Sequence, residues 1–176
     1  MGRLQQTLTA TISASMPATM SSPARRPARP RRPHVPPLPA LEALDETHRQ
    51  IVGVLAKMDQ LLQALPQAGE QAHAARLAAQ VCVFFNGPAR THHETEETQV
   101  FPGLLAGHDA TVRAQVQRLQ QDHNWIEEDW LELEPHLQAV AQGYGPGHLD
   151  FLRAALAEFT DLYREHLAVE EALLHT

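Results

Sequence analysis

An all-α, antiparallel up-down-up-down four-helix bundle is what this sequence predicts, and three observations lead there. Apolar residues recur at alternating spacings of four and three in separate stretches, the period of a helix with one buried face. Leu, Ala and Gln abound, whereas Val and Thr never cluster as they would in alternating strands. Short connectors separate the stretches, among them "GYGPG" at 143–147. At 176 residues the chain supports one domain, residues 41–176, behind a tail spanning 1–40.

The tail is set apart by composition. Residues 17–39 hold eight prolines, and 1–40 hold six arginines (Arg3, Arg25, Arg26, Arg29, Arg31, Arg32) and no acid. Proline removes helix donors and the arginines repel one another, so this segment is expected to be disordered or extended, and dispensable. Its Arg/Ser/Ala bias resembles a transit peptide, but such proline density does not fit an amphipathic presequence. No apolar h-region follows Arg3, so no secretory signal is read and a cytoplasmic location is expected. The "RRP" repeats suggest at most weak binding of anions. With six of the 14 basic side chains in the tail, the remainder carries 8 against 21 acidic ones, a formal −13. That charge excludes nucleic acid as a partner of the folded part. No apolar run approaches the ~20 residues that cross a bilayer, which excludes a membrane span. Cys82 is the one cysteine. It rules out a disulfide framework within the monomer and a Cys-rich zinc site, and is read as a small buried hydrophobe. Nothing in the sequence fixes the oligomeric state.

The first helix starts near Leu41, with Asp45 as a plausible N-cap and Pro66 after its end. Its stripe is Leu44, His48, Ile51, Leu55, Met58, Leu62 and Leu65. The second starts near Gly69–Gln71 and runs through Leu77, Val81 and Phe84 toward "RTHHETEETQVFP"; Asn86-Gly87-Pro88 is expected to kink it, and Pro102 and Gly107 to close it. The third spans about Ala110 to Ala141, with Val112, Val116, Leu119, His123, Ile126, Trp130, Leu133 and Leu137 on one face and a bend expected at Pro135. The fourth spans about His148 to Leu174, with Leu152, Leu156, Phe159, Tyr163, His166, Glu170 and Leu173.

Every helix therefore carries a histidine on or beside its core stripe. Burying an imidazole costs free energy unless its ring nitrogens find partners, so four of them converging require a dense polar network or a cation. Carboxylates follow at i+4: His93 with Glu97, His123 with Glu127, His166 with Glu170. That spacing puts both side chains on one helix face, about 5–6 Å apart at Cβ. Glu170 lies on an apolar stripe, where an unpaired carboxylate is expensive; a dication offsets the cost, and the stripes offer no arginine. Nitrogen and carboxylate ligands without thiolate suit iron, manganese or zinc. In the second helix, periodicity leaves a choice. Straight extrapolation from Leu77, Val81, Phe84 and Pro88 favours His92 with Glu96, whereas a kink at Gly87-Pro88 favours His93 with Glu97.

"LDETHRQI", "RTHHETEETQVFPGL", "LQQDHNWI" and "LYREHLAVEEALL" together resemble the hemerythrin-like cation-binding proteins of the HHE type, over roughly Leu38 to Leu174. The resemblance implies a carboxylate-bridged site of two non-haem iron ions with an oxo or hydroxo bridge, manganese or zinc being alternatives. It maps the second-helix motif onto His93, Glu97 and Pro102. Glu97 and Glu170 would then bridge, with His48, His93, His123 and His166 as terminal ligands. The chain departs from the oxygen carriers, which have five histidines, two of them one turn apart on the third helix; here Leu119 and Glu127 flank His123. Glu94 matches a further carboxylate of some iron-sensing relatives, and Glu127 is a ligand or a partner of one. Such a site, rich in anionic oxygen, favours ferric iron and is less suited to reversible O2 carriage.

His92 is expected to face outward or to stand behind the ligands. His34, His73, His108, His136, His148 and His175 are read as solvated, Tyr163 as packing at the rim, Trp125 and Trp130 as core and rim aromatics, and Glu127, Glu128 and Asp129 most simply as a solvated face. The expected function is binding or sensing of iron, O2, another small diatomic or peroxide. The alternative is an enzyme that reduces peroxide or activates O2 at the same metal pair. A metal-free interaction module is the third reading.

Overall fold

A computed structural model describes residues 38–107, 109–145 and 149–174. The expected Pro/Arg-rich segment up to residue 37, and His34, His108, His148 and His175, lie outside them. Among the described residues every regular element is a helix. The first rod is α1 (Leu38–Ala64). The second is composite, comprising α2 (Gln71–Phe85), α3 (Pro88–Thr95), a π-helical turn (Glu96–Val100) and α4 (Phe101–Leu105). The third is α5 (Ala110–Ala141) and the fourth α6 (Leu149–Leu174). α1 packs on α2 and α6, α2 on α5, and α5 on α6, closing a ring of four antiparallel neighbours.

The helix ends follow local chemistry. α1 starts earlier than the sequence suggests, because Pro39 in a first turn needs no N–H partner. Asp45 thus lies inside the helix and is not its N-cap. Asp109 caps α5: its carboxylate accepts from the N–H groups of Thr111 (2.7 Å) and Val112 (3.3 Å). α5 runs unbroken through Pro135, although a proline there removes one hydrogen bond of the helical ladder. At the far end Gly143 takes φ +84°, and Tyr144 N–H reaches the Ala139 carbonyl while Gly143 N–H reaches that of Val140, a Schellman cap that needs glycine at the left-handed residue.

Two apolar clusters fill the interior. The larger joins Ile51, Leu55, Met58, Val81, Phe85, Trp130, Leu133, Leu137, Leu152, Leu156, Phe159 and Tyr163 among others, and Cys82 is buried within it. The smaller joins Leu44, Val100, Phe101, Val116, Leu119 and Leu173. Between them along every rod falls a polar layer: His48 between Leu44 and Ile51, His92 and Glu96 between Ala89 and Val100, His123 between Leu119 and Ile126, and His166 and Glu170 between Tyr163 and Leu173.

Candidate metal centre

The second rod brings its ligand-type side chains inward through two irregularities. The expected kink at Asn86-Gly87-Pro88 is a two-residue break: α2 stops at Phe85, Gly87 adopts φ −132° and ψ −88°, and α3 restarts with Pro88 in its first turn, where the missing N–H costs nothing. The π turn at Glu96–Val100 was not anticipated. There the Phe101 N–H bonds to the Glu96 carbonyl, five residues back. Pro102 supplies the reason. In a regular helix its ring would strike the carbonyl four residues earlier, and a wider turn gives it room, so Pro102 continues the rod instead of closing it. The Thr95 and Thr98 hydroxyls donate to the Thr91 and Glu94 carbonyls, each at 2.7 Å.

Five imidazoles and two carboxylates meet in the polar layer. Ligand-capable atoms of His93, His123 and His166 lie within 4.8 Å of one another, and so do those of His48, His92, Glu96 and Glu170. The carboxylates link the two groups. Glu96 presents Oε1 to His92 Nε2 at 3.5 Å and Oε2 to His123 Nε2 at 3.3 Å. Glu170 presents Oε1 to His48 Nε2 at 3.1 Å and Oε2 to His166 Nε2 at 3.4 Å, with His92 Nε2 at 3.8 Å from the same oxygen. Both glutamates are 0% exposed.

Around this layer stand partners that orient it. Glu97 hydrogen-bonds His123 Nδ1 at 3.0 Å and accepts from the Gln120 amide at 2.7 Å. The Tyr163 hydroxyl and His93 Nε2 are 2.8 Å apart. Asp122, buried, places Oδ2 3.9 Å from His166 Nδ1 and 3.7 Å from Arg118 Nε.

The electrostatics favour neutral imidazoles. Burial, with repulsion from neighbouring histidines, pushes His166 down to about 2 and His93 well below its ordinary value. Burial also lowers His92 and His123, against the pull of Glu170 and Glu97 respectively. His48 goes the other way: burial disfavours its charge, but the Glu170 carboxylate more than offsets that. Glu170 stays low despite burial because His48 and His92 hydrogen-bond and attract it. Burial pushes the Tyr163 phenol up and the Cys82 thiol to about 11, so Cys82 is an inert core residue.

A cation fits these residues on two counts. Among the described residues, the buried atoms with no hydrogen-bond partner are concentrated here: both nitrogens of His92 and His166, both oxygens of Glu96, Nδ1 of His48, Nε2 of His123, Oε2 of Glu170 and Oδ2 of Asp122. Orphaned buried polar atoms are costly, and a dication satisfies several at once. Ligands at about 2.0–2.2 Å from a shared ion stand at most about 4.4 Å apart, so groups spanning 4.8 Å need to tighten only by tenths of an ångström.

Of the residues singled out in the sequence, His48, His93, His123, His166 and Glu170 come together here. Three others do not enter either group. Glu97 contacts His123 from its far side. Glu94 is exposed, and Glu127 is a surface partner of Arg90. His92, expected to face outward or to stand behind the ligands, is 4% exposed in the centre; Glu96, raised only as the alternative to Glu97, is buried beside it, and Asp122 was not singled out. The signal for His92 and Glu96 was present: the period running through Leu77, Val81, Phe84 and Pro88 reaches 92 and 96 without adjustment. The structure gathers five imidazoles with two buried carboxylates, two of the imidazoles coming from the His92–His93 pair and one from the third rod.

Comparison with known proteins agrees with this picture. The chain is 28% identical over 94 residues to an uncharacterized protein of Haemophilus influenzae (strain ATCC 51907 / DSM 11121 / KW20 / Rd). The match covers 53% of this chain and 52% of that relative, so the chain spans about half the length of the curated protein it resembles. No solved structure matches. The model of the hemerythrin HHE cation binding domain matches residues 40–176, nearly the whole described part. The histidine–glutamate groups fit the metal binding for which that domain is named, and the chain belongs to the hemerythrin HHE cation binding domain family.

Proposed function

We propose that the chain is a non-haem di-iron protein that binds O2 or a related small molecule. One observation carries the reading: two buried carboxylates, Glu96 and Glu170, each turn one oxygen toward the three-histidine group and the other toward the His48–His92 group. Two ions sharing two carboxylates would be held in that way, His93, His123 and His166 serving one and His48 and His92 the other. Neutral imidazoles and anionic oxygens are the donor set that iron accepts, with manganese and zinc as alternatives. Bound iron would supply an electron-rich centre for a diatomic or peroxide, with apolar clusters packed on either side of it along the rods.

Metal quantification on purified, iron-loaded protein tests this directly. About two ions per chain are expected for the wild type. Glu170→Ala should lose at least one of them, and chelation should lower the melting temperature. A wild-type content below one ion, or a melting curve indifferent to chelation, refutes the proposal.

A second reading, peroxide reduction at the same centre, is favoured by the buried Tyr163 hydroxyl beside His93. Peroxide consumption by the iron-loaded wild type, reduced in Tyr163→Phe at equal iron content, would select it. Equal, slow rates in both would select binding.

A further inference from the structure

Two clefts reach the polar layer from different faces. One, about 660 Å³, lies between the second and third rods and is lined by Arg90, Glu94, Glu97, Gln120, Asn124 and Glu127, with His93 and His123 also in its wall. The other, about 530 Å³, lies between α1 and α6 at Asp45, His48, Arg49, Val52 and Glu171. The first differs in what it joins. It holds three carboxylates against one guanidinium, a formal −2, and Arg90 is already committed to Glu127. At its inner wall stands His123, 7% exposed, with Nδ1 on Glu97 and Nε2, which makes no hydrogen bond, 3.3 Å from Glu96 in the centre. Carboxylates therefore stand at the mouth and imidazoles at the floor.

We propose that this cleft is the entry port for the divalent cation, Glu94 and Glu127 attracting the hydrated ion and Glu97 with His123 passing it to the three-histidine group. The inference rests on the metal-centre reading above. Its chemistry is sequential. Hydrated dications exchange water for exposed carboxylate oxygen readily, and imidazole becomes the better donor once the ion is partly dehydrated. A cleft with low-dielectric walls also focuses the field of its charges, raising the local concentration of a cation and its rate of capture. Arg90 limits that field, so the port carries its own brake. Anions are disfavoured by the same charges.

The test is the rate at which metal-free full-length protein takes up cobalt(II), followed by stopped-flow absorbance, with bound cobalt measured at the end point. At low ionic strength the Glu94→Gln/Glu127→Gln double variant should load about threefold to tenfold more slowly than wild type, and Arg90→Gln faster. Both differences should shrink in high salt, where the charges are screened. Asp45→Asn/Glu171→Gln, at the other cleft, should load at the wild-type rate. End-point cobalt should be the same in all four proteins. Unchanged rates in the first-cleft variants, or slowing confined to the Asp45/Glu171 variant, overturns the port. A lower end point in the Glu94/Glu127 variant also overturns it, because those residues would then be ligands. Failure of the wild type itself to hold cobalt is a different result, and sinks the metal centre.

Discussion

Acidifying the metal-free protein from about pH 7.5 to about pH 5.5 should destabilise it strongly. His92, His93, His123 and His166 all have folded-state pKa values below the ordinary 6.5. In the unfolded chain each titrates near 6.5, so across this window the unfolded state takes up nearly one proton per histidine that the folded state refuses. Stability therefore falls as pH falls, by about 1.4 kcal/mol for each group whose folded form stays neutral throughout. His166, pushed down to about 2, gives that full amount, and His92, His93 and His123 add to it in the same direction. His48 opposes them: its folded pKa is raised, so it contributes stability below 6.5 that is lost as pH rises, worth at most about 1.4 kcal/mol here. Glu170, held low, titrates below this window and leaves the balance unchanged. The net change is a loss of stability, since His48 offsets at most one of the four lowered histidines, and for a chain of this size each kcal/mol lost lowers the melting temperature by about 2–4 °C. Thermal melts by circular dichroism in the presence of chelator, at three pH values across the window, measure it. A melting temperature that holds steady or rises on acidification would mean that the imidazoles are solvated and accept protons freely, and the buried polar layer would be refuted.

Glu96→Gln and Glu97→Gln should separate the two adjacent glutamates. Competitive metal titration is expected to show a 10- to 100-fold affinity loss, as for an orienting partner, in the Glu97 variant and a larger one in the Glu96 variant; the reverse order would return the bridging role to Glu97. Leu137→Ala, in the larger apolar cluster and 0% exposed, should cost about 2–5 kcal/mol in urea unfolding with metal content unchanged. Asp109→Ala removes the carboxylate oxygen that accepts from two N–H groups at the start of α5 and should lower the unfolding midpoint in the same assay.

Much of this molecule is legible in its sequence because three of its rods keep a constant period. The stripe of α6 from Leu152 to Leu173 is buried position for position, and α5 occupies the stretch its apolar pattern marks out. His48, His123, His166 and Glu170 lie on such unbroken stripes, so periodicity alone brings them to the layer. The second rod is harder because it offers two adjacent His–Glu pairs and its helix is interrupted twice, at Gly87 and within Glu96–Val100. There the family resemblance pointed to His93 and Glu97, while the structure buries His92 and Glu96 more deeply and keeps both histidines in the centre. Glu127 shows a second limit: i+4 spacing establishes proximity to a histidine on one helix, but not which way the pair faces. Glu127 turns to Arg90 on α3, a cross-rod contact that no local pattern encodes.

The widened turn in the second rod also sets a strict requirement on chain length. Deleting any one residue between Glu96 and Val100 would permit an ordinary α-helical ladder, and by propensity alone that would look like an improvement. The wider turn absorbs one extra residue, so side chains beyond such a deletion would keep nearly their present direction around the axis. Pro102, however, would meet the carbonyl four residues back without the wider turn that now makes room for its ring. In this rod a more regular helix is a worse protein, and tolerance to insertion or deletion should be lowest where the backbone is least ideal.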